Sequence, residues 1–545
     1  MKFKTKVLSA AVIAAVGVTS AQAVTISNDG LGQVQLYPYY TVEGGYDTLI
    51  SVVNTTSHGK AVKVRFLESL NSREVLDFNL YLSPYDVWTG KVTADAGGGA
   101  KLVVADASCT APVIAKAIGG TGEQAFFTYG FDGTSTTPAD ALGTAGVART
   151  RSGYIELIEM GDIDPEYVLN DGSNFLKDIT HVGGVPPGCA SVVAEWALDT
   201  AAFPDGGWGT VNATFDIAGL YSTSGGLAAS GTLINVAKGT DYTYDPTPLV
   251  GYNTGAPNHT APGTLNPALS DSDNQSQVVT IDQVQGTVQV AYTNWVGPNA
   301  SYHGIDAVSA ALMRSAVIDE YVVNTAINAG TDWVITMPTK RWYVDLGSIF
   351  NPNAVVSHAV RPFTSLFGTG GACESISFDV LTNQEEAHAV GAIGFSPAPV
   401  GKSQTLCWEA NVITFNNSNV LASTQTGQNI NVATYPAGWL QLSFPSSKSA
   451  ASNLPSDPLG TAGFVGMPTG TDAADVLSHQ MGQSEGATAT TFQGLPVIGF
   501  SVQQYVNGTL AGGVLSNYGG NFGHKYNRSV GGTIGTAIAP AVATN

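Results

Sequence analysis

Gly482-Gln483-Ser484-Glu485-Gly486 fits GxSxG, the pattern of a nucleophilic serine. That chemistry needs a buried strand just before the serine, a helix just after it, and an acid and a His in chain order behind it. DVLSHQM precedes the motif and ATATTFQ follows it, which meets neither requirement. His524 lies downstream, but the only acid between it and Ser484 is Glu485, too close to the serine to orient the imidazole. The match reads as coincidence, and catalytic residues are expected to be none.

Two acidic loops have the oxygen-rich composition that calcium prefers. They are Asp271-Ser272-Asp273-Asn274 and Asp162-Ile163-Asp164-Pro165-Glu166. Asp271, Asp273 and Asn274 are the weak calcium candidate, and calcium is the one cofactor the sequence suggests. Neither loop has the Gly and Glu spacing of an EF-hand, so solvated turns are the competing reading. The eight histidines, 58, 181, 259, 303, 358, 388, 479 and 524, form no HExxH or His-x-His pair. Glu385-Glu386-Ala387-His388 is the tightest acid–His group, and a solvated turn explains it. Carboxylates adjoin tryptophan at Glu195-Trp196, Asp332-Trp333 and Trp408-Glu409. A glycosidase needs two carboxylates converging on one cleft, whereas neighbours on a strand point to opposite faces. Trp408, next to Cys407, reads as a core ring packed near a disulfide, while Trp88, Trp342 and Tyr343 fit either a core or a sugar-stacking surface. No P-loop or dinucleotide fingerprint occurs.

Composition narrows the classes further. The 545 residues carry 22 basic and 42 acidic side chains, a formal charge of −20. Such a field repels nucleic acid and anionic lipid. Charged residues are only 12 % of the chain and Gly numbers 64, which suits a β-rich surface protein better than a helical cytosolic enzyme.

The first 23 residues, MKFKTKVLSAAVIAAVGVTSAQA, read as a secretory signal peptide. Lys2, Lys4 and Lys6 form the basic region, Val7 to Val18 the apolar stretch, and Ala21-Gln22-Ala23 the cleavage motif. No second apolar run is long enough to span a membrane, so no transmembrane segment is expected after cleavage. The signal specifies export: secreted, cell-surface or extracellular, with a periplasmic location equally served. In that compartment Cys109, Cys189, Cys373 and Cys407 imply two disulfides. Three pairings exist, and proximity favours Cys109–Cys189 and Cys373–Cys407.

The elements that must position these residues are strands. GQVQLYPYYTV, TLISVVNTT, KAVKVRFLE, EVLDFNLYLSP and DVWTGKV are short, apolar-alternating and separated by turn residues. Val62, Val64 and Phe66 share one face while Lys63 and Arg65 share the other, the pattern of a half-buried strand. Asn54 is placed to cap the following turn. Five such strands predict an immunoglobulin-like β-sandwich over 24–95. Residues 96–252 continue that sandwich or form a second domain, 253–277 are linker-like, and 278–545 form a C-terminal β-rich domain. Asp306 is expected to N-cap a short helix, and DAADVLSHQM to form another. The fold class is therefore all-β: two or more antiparallel Ig-like β-sandwich domains with long loops and one or two short helices.

The blocks QLYPYYTV, SVVNTT, KAVKVRFLESLNSREVLDFNLYLSPYDVWTG, GTLINVAKGTDYTY, TDWVITMPTKRWYVD, LCWEANVITFNN and LPVIGFSVQQYVNG resemble secreted bacterial proteins described only as cell surface proteins. The resemblance spans most of the chain after residue 23 and implies an exported β-rich surface protein, with no catalytic residue to carry over. The sequence expectation is a non-enzymatic extracellular protein with a structural or adhesive role in a surface layer, matrix or filament. Its partners would be itself, other surface proteins or glycans, and not nucleic acid. The alternatives are a carbohydrate-binding secreted protein and, behind it, a secreted hydrolase.

Overall fold

The computed structural model describes residues 23–134, 146–197, 208, 218–281, 288–295, 303–345, 362–382, 387–389, 405–432, 435–444, 479–485, 488–509, 512–513, 515–532 and 535–538. The chain is all-β, and among the described residues its strand ladders are antiparallel except that Ala410–Phe415 runs parallel to Gly427–Ile430. The signal segment, the loop at Ser446–Thr471 and most of DAADVLSHQM fall outside the described residues.

The first sheet has eight strands. Across it run Thr25–Ile26, Thr247–Val250, Val34–Thr41, Ser152–Ile163, Gly59–Glu68, Glu74–Leu82 and Cys109–Ala111, with Leu220–Tyr221 joined to the end of Ser152–Ile163. The second has six: Thr240–Tyr244, Leu227–Asn235, Asp47–Asn54, Val87–Ala94, Ala100–Val103 and Glu123–Ala125. Alternation along the strands aims one set of side chains inward. Val62, Val64, Phe66, Ile155 and Leu157 meet Ile50, Val52, Trp88 and Val92 in one core. Asn54 makes the expected cap: its side-chain oxygen accepts from the Thr56 N–H at 3.1 Å.

The outer face of the first sheet departs from the sequence pattern. Every residue of Gly59–Glu68 is buried, Lys63 and Arg65 included. The cover comes from the segment that composition reads as linker-like. The Ala261 carbonyl accepts from Lys63 Nζ at 3.0 Å, the Thr260 carbonyl from Asn79 Nδ2 at 2.8 Å, and the Asp77 carboxylate from the Gly263 N–H at 2.8 Å. A polar, turn-rich strap matches a polar sheet face, because buried polar groups must be hydrogen-bonded.

A third sheet orders Gly427–Ile430, Ala410–Phe415, Ala329–Thr336, Ile498–Thr509 and Leu515–Gly523. A fourth orders Ala387–Ala389, Ser377–Thr382, Ala437–Ser443, Ala316–Val322 and Lys525–Asn527. The third sheet is shared between two cores. Val334, Val412, Phe500 and Val502 pack into the core of the first two sheets, and Phe500 stacks on Tyr244 at 4.7 Å. Trp333, Ile335, Ile413 and Phe415 face the other way, toward Tyr321, Leu440 and Leu442 of the fourth sheet.

Among the described residues four short helices occur where one or two were expected: Phe175–Ile179, Cys189–Ala194, His303–Leu312 and Arg341–Val344. Cys109–Cys189 pins the second of them to an edge strand of the first sheet. Cys373–Cys407 closes the shorter loop, so both pairings follow sequence proximity. Asp306 is not an N-cap. It lies in the first turn of His303–Leu312, buried, and its Oδ1 accepts from the Tyr343 hydroxyl at 2.8 Å.

Candidate functional site

Charge is concentrated along Gly59–Glu68. Lys60 Nζ donates to Glu159 at 2.7 Å, Asp162 at 2.7 Å and the Ser224 hydroxyl at 3.0 Å, which uses all three ammonium protons. Burial pushes Glu159 up to about 8 against the pull of Lys60. Lys63 pairs with Asp77. Arg65 holds Glu74 at 2.7 Å and Glu156 at 2.9 Å, and burial lifts Glu156 to about 7 despite that contact. Burial opposes ionisation of Glu68, yet Arg149 and the N–H groups of Leu70, Asn71 and Arg73 hold its carboxyl below the ordinary value. These pairs lock strands and turns together. The strand alternation announced Lys63 and Arg65, but their cover came from residues about two hundred positions away.

The GxSxG stretch sits in a hairpin: Gln480–Glu485 pairs antiparallel with Thr488–Gln493, so no strand-to-helix elbow forms around Ser484. Gly486 is outside the described residues. His524 does have an acid partner, Asp319, at 3.1 Å from Nδ1. Its Nε2 faces the Val334 carbonyl at 3.0 Å, which occupies the position a nucleophile would need. His479 repeats the arrangement, with Glu374 at 3.5 Å and carbonyls of Pro362 and Ser375 at 3.1 and 3.0 Å.

The calcium candidates serve local turns. Asp271 Oδ2 accepts from the Ala268 N–H at 2.7 Å, and Asp273 Oδ2 from the Thr254 N–H at 2.9 Å. Asn274 is exposed. In the second acidic loop, Asp162 belongs to Lys60 and Asp164 Oδ1 accepts from the Glu166 N–H at 2.9 Å. Among the described residues no three His, Cys, Asp or Glu side chains are grouped so that they could hold a metal ion. His58 and His181 lie near Asp162 and Asp86 at 3.5 and 3.7 Å. Glu385, Glu386, His358 and the side chains of His303 and His388 lie outside the described residues.

The carboxylate–tryptophan pairs do not converge on a shared cleft. Glu195 accepts from the Asn170 N–H at 2.8 Å. Asp332 is buried, accepts from the Leu421 N–H at 2.8 Å, and is raised by burial to about 6. Glu409 is buried with both oxygens lacking a hydrogen-bond partner, and burial lifts it to about 8 against Lys340. Trp88, Trp333 and Tyr343 are wholly buried, while Trp342 and Trp408 are half-buried. His259 is enclosed by Trp196, Trp208 and Tyr81, with Nε2 3.1 Å from the Tyr81 hydroxyl.

An open cleft borders the His524 contact. It has a volume of about 190 Å³ and forms where Asp245 and Thr247 of the N-terminal half meet Arg314, His524 and Tyr526 of the C-terminal half. Arg314 lies over the Tyr526 ring, 3.7 Å from its centroid. Gly499 forms part of the wall, and a Cβ there would stand 1.9 Å from the Val334 carbonyl oxygen. The sequence reading missed this constellation because its residues come from four separate segments and share no motif. Among the described residues no helix is long and apolar enough to cross a membrane. Comparison with known proteins finds no matching family model, no matching curated protein and no matching solved structure.

Proposed function

We propose that this chain is a non-enzymatic extracellular protein with a structural or adhesive role, as a component of a surface layer, matrix or filament. The observation that carries the reading is the use of its charged groups. Lys60, Lys63, Arg65 and Glu68, four charges on one strand, are all bound to internal partners under cover. A doubly bridged sandwich pair whose Lys60, Lys63, Arg65 and Glu68 are committed to internal contacts suits a scaffold better than a catalyst. The signal-like leader and the two disulfides support export. An edge strand such as Gly427–Ile430 would supply lateral contacts, since edges leave backbone groups unpaired.

Light scattering on the mature protein, with and without calcium, followed by negative-stain microscopy of the largest species, tests the assembly. Sheets or filaments are expected. A monomer under both conditions overturns a self-assembling role. The carbohydrate-binding reading has its own support in exposed rings: Tyr518, Phe522 and Tyr526 are 61 %, 42 % and 47 % exposed.

A further inference from the structure

Arg314 is out of place in so acidic a chain. Its side chain is 95 % hidden and lines the cleft, yet among the described residues no carboxylate pairs with it (relative exposure 5 %). Its Nη1 donates only to the carbonyls of Met313 at 2.9 Å and Ala311 at 3.4 Å. Arg528 stands beside it, donating from Nη2 to the same Ala311 carbonyl at 2.9 Å, with Nε buried and unpartnered. Burial, then the neighbouring Arg528 charge, depresses Arg314 to about 9. Two guanidiniums share one ring, and a buried cation without a counter-ion is costly.

The rest of the cleft fits a sugar. Arg314 covers one face of Tyr526, whose ring is nevertheless half exposed. Outside the cleft lining, Phe522 and Tyr518 are also exposed and, four residues apart on Leu515–Gly523, share one face of that strand. Gly520 between them leaves room for the Phe522 ring, which would lie 3.1 Å from a Cβ. Asp245 and Thr247, which also line the cleft, offer partners for sugar hydroxyls. At about 190 Å³ the cleft is smaller than a drug-sized pocket of roughly 300–1,000 Å³, so it suits one sugar unit of a longer chain.

We propose that this cleft binds an acidic saccharide, with a uronate carboxylate on the Arg314 guanidinium and the sugar ring against Tyr526. The inference rests on the adhesive side of the role above and names its ligand class. It does not require self-assembly, so light scattering and ligand binding can fail separately.

The test is calorimetric titration of the full mature chain with a galacturonate trisaccharide, beside the neutral galactose trisaccharide. The acidic ligand should bind about tenfold more tightly or better, and added salt should weaken it. Tyr526→Ala and Arg314→Lys should each weaken it by about tenfold, since lysine keeps the charge but loses the planar fork. Because Arg314 is buried, its variant can fail to fold; Tyr526→Ala and Asp245→Asn, at exposed positions, keep the test decisive. No binding of the acidic ligand, equal binding of both ligands, or binding untouched by Tyr526→Ala overturns the proposal. So does a variant that dissolves an oligomer while the wild type ignores the saccharide, which would identify the occupant as a carboxylate of a second copy.

Discussion

Lys63 Nζ lies 2.6 Å from Asp77 Oδ2, and the two side chains are 0 % and 3 % exposed beneath the strap formed by residues 260–263. The contact spans neighbouring strands, since Arg65 stands opposite Asp77 and Lys63 opposite Asn79. Removing water from two charges is expensive, and their attraction offsets that cost only while both are present.

Lys63→Met should therefore destabilise the fold by about 3–5 kcal/mol, because it strands the Asp77 carboxylate. The double variant Lys63→Met/Asp77→Leu should recover part of that loss, since no charge is left stranded, while the Ala261 carbonyl and the Gly263 N–H lose their partners. Urea unfolding of the four proteins measures the coupling. Additive single losses would mean that the pair does not act as a unit.

His259 sets an acid limit. Burial first, and the Lys63 charge second, lowers it from 6.5 to about 3. The folded protein thus keeps the imidazole neutral while the unfolded chain protonates it. Its contribution is complete above pH 6.5 and is lost progressively as pH falls from there toward about 3. The full swing is roughly 4–5 kcal/mol at about 1.4 kcal/mol per unit. His259→Gln should flatten the pH dependence of the unfolding midpoint between pH 6.5 and 4, whatever it costs at pH 8. A slope identical to wild type would assign the acid loss to other groups.

The legible part of the fold was the local part. Val62, Val64 and Phe66 alternate with Lys63 and Arg65, and that fixed which side faces the core. The Cys109–Cys189 and Cys373–Cys407 pairings were equally readable, from proximity. What the pattern could not show is that the charged face would be covered as well. Strand alternation reports two environments but not which residues close the second one, and here the cover is a polar stretch with no periodicity of its own. The cleft at Arg314 was hidden for a related reason: Asp245, Thr247, Ile498, Gly523 and Tyr526 meet only once strands of the first, third and fourth sheets come together.

Asp306 shows the same gap between local rule and burial, and it yields a sharp test. Asp before an apolar run predicts a cap on exposed backbone N–H groups, yet the helix starts earlier, at His303, and carries Asp306 into the interior. Tyr343 donates to Oδ1, and Oδ2 has no partner. Burial raises the carboxyl from 3.8 to about 8, with the Tyr343 hydrogen bond pulling weakly the other way. The folded state therefore holds the proton that the unfolded chain releases. Stability from this group is highest below pH 3.8 and declines as pH rises toward about 8. Asp306→Asn keeps the acceptor for Tyr343 and removes the ionisation, but leaves a buried amide that needs its own partners. It should stabilise the protein by about 1–3 kcal/mol at pH 9 and change little at pH 4. Thermal unfolding of both proteins at the two pH values decides it. A variant less stable than wild type at pH 9 would show that the ionised carboxylate finds a partner in the folded state.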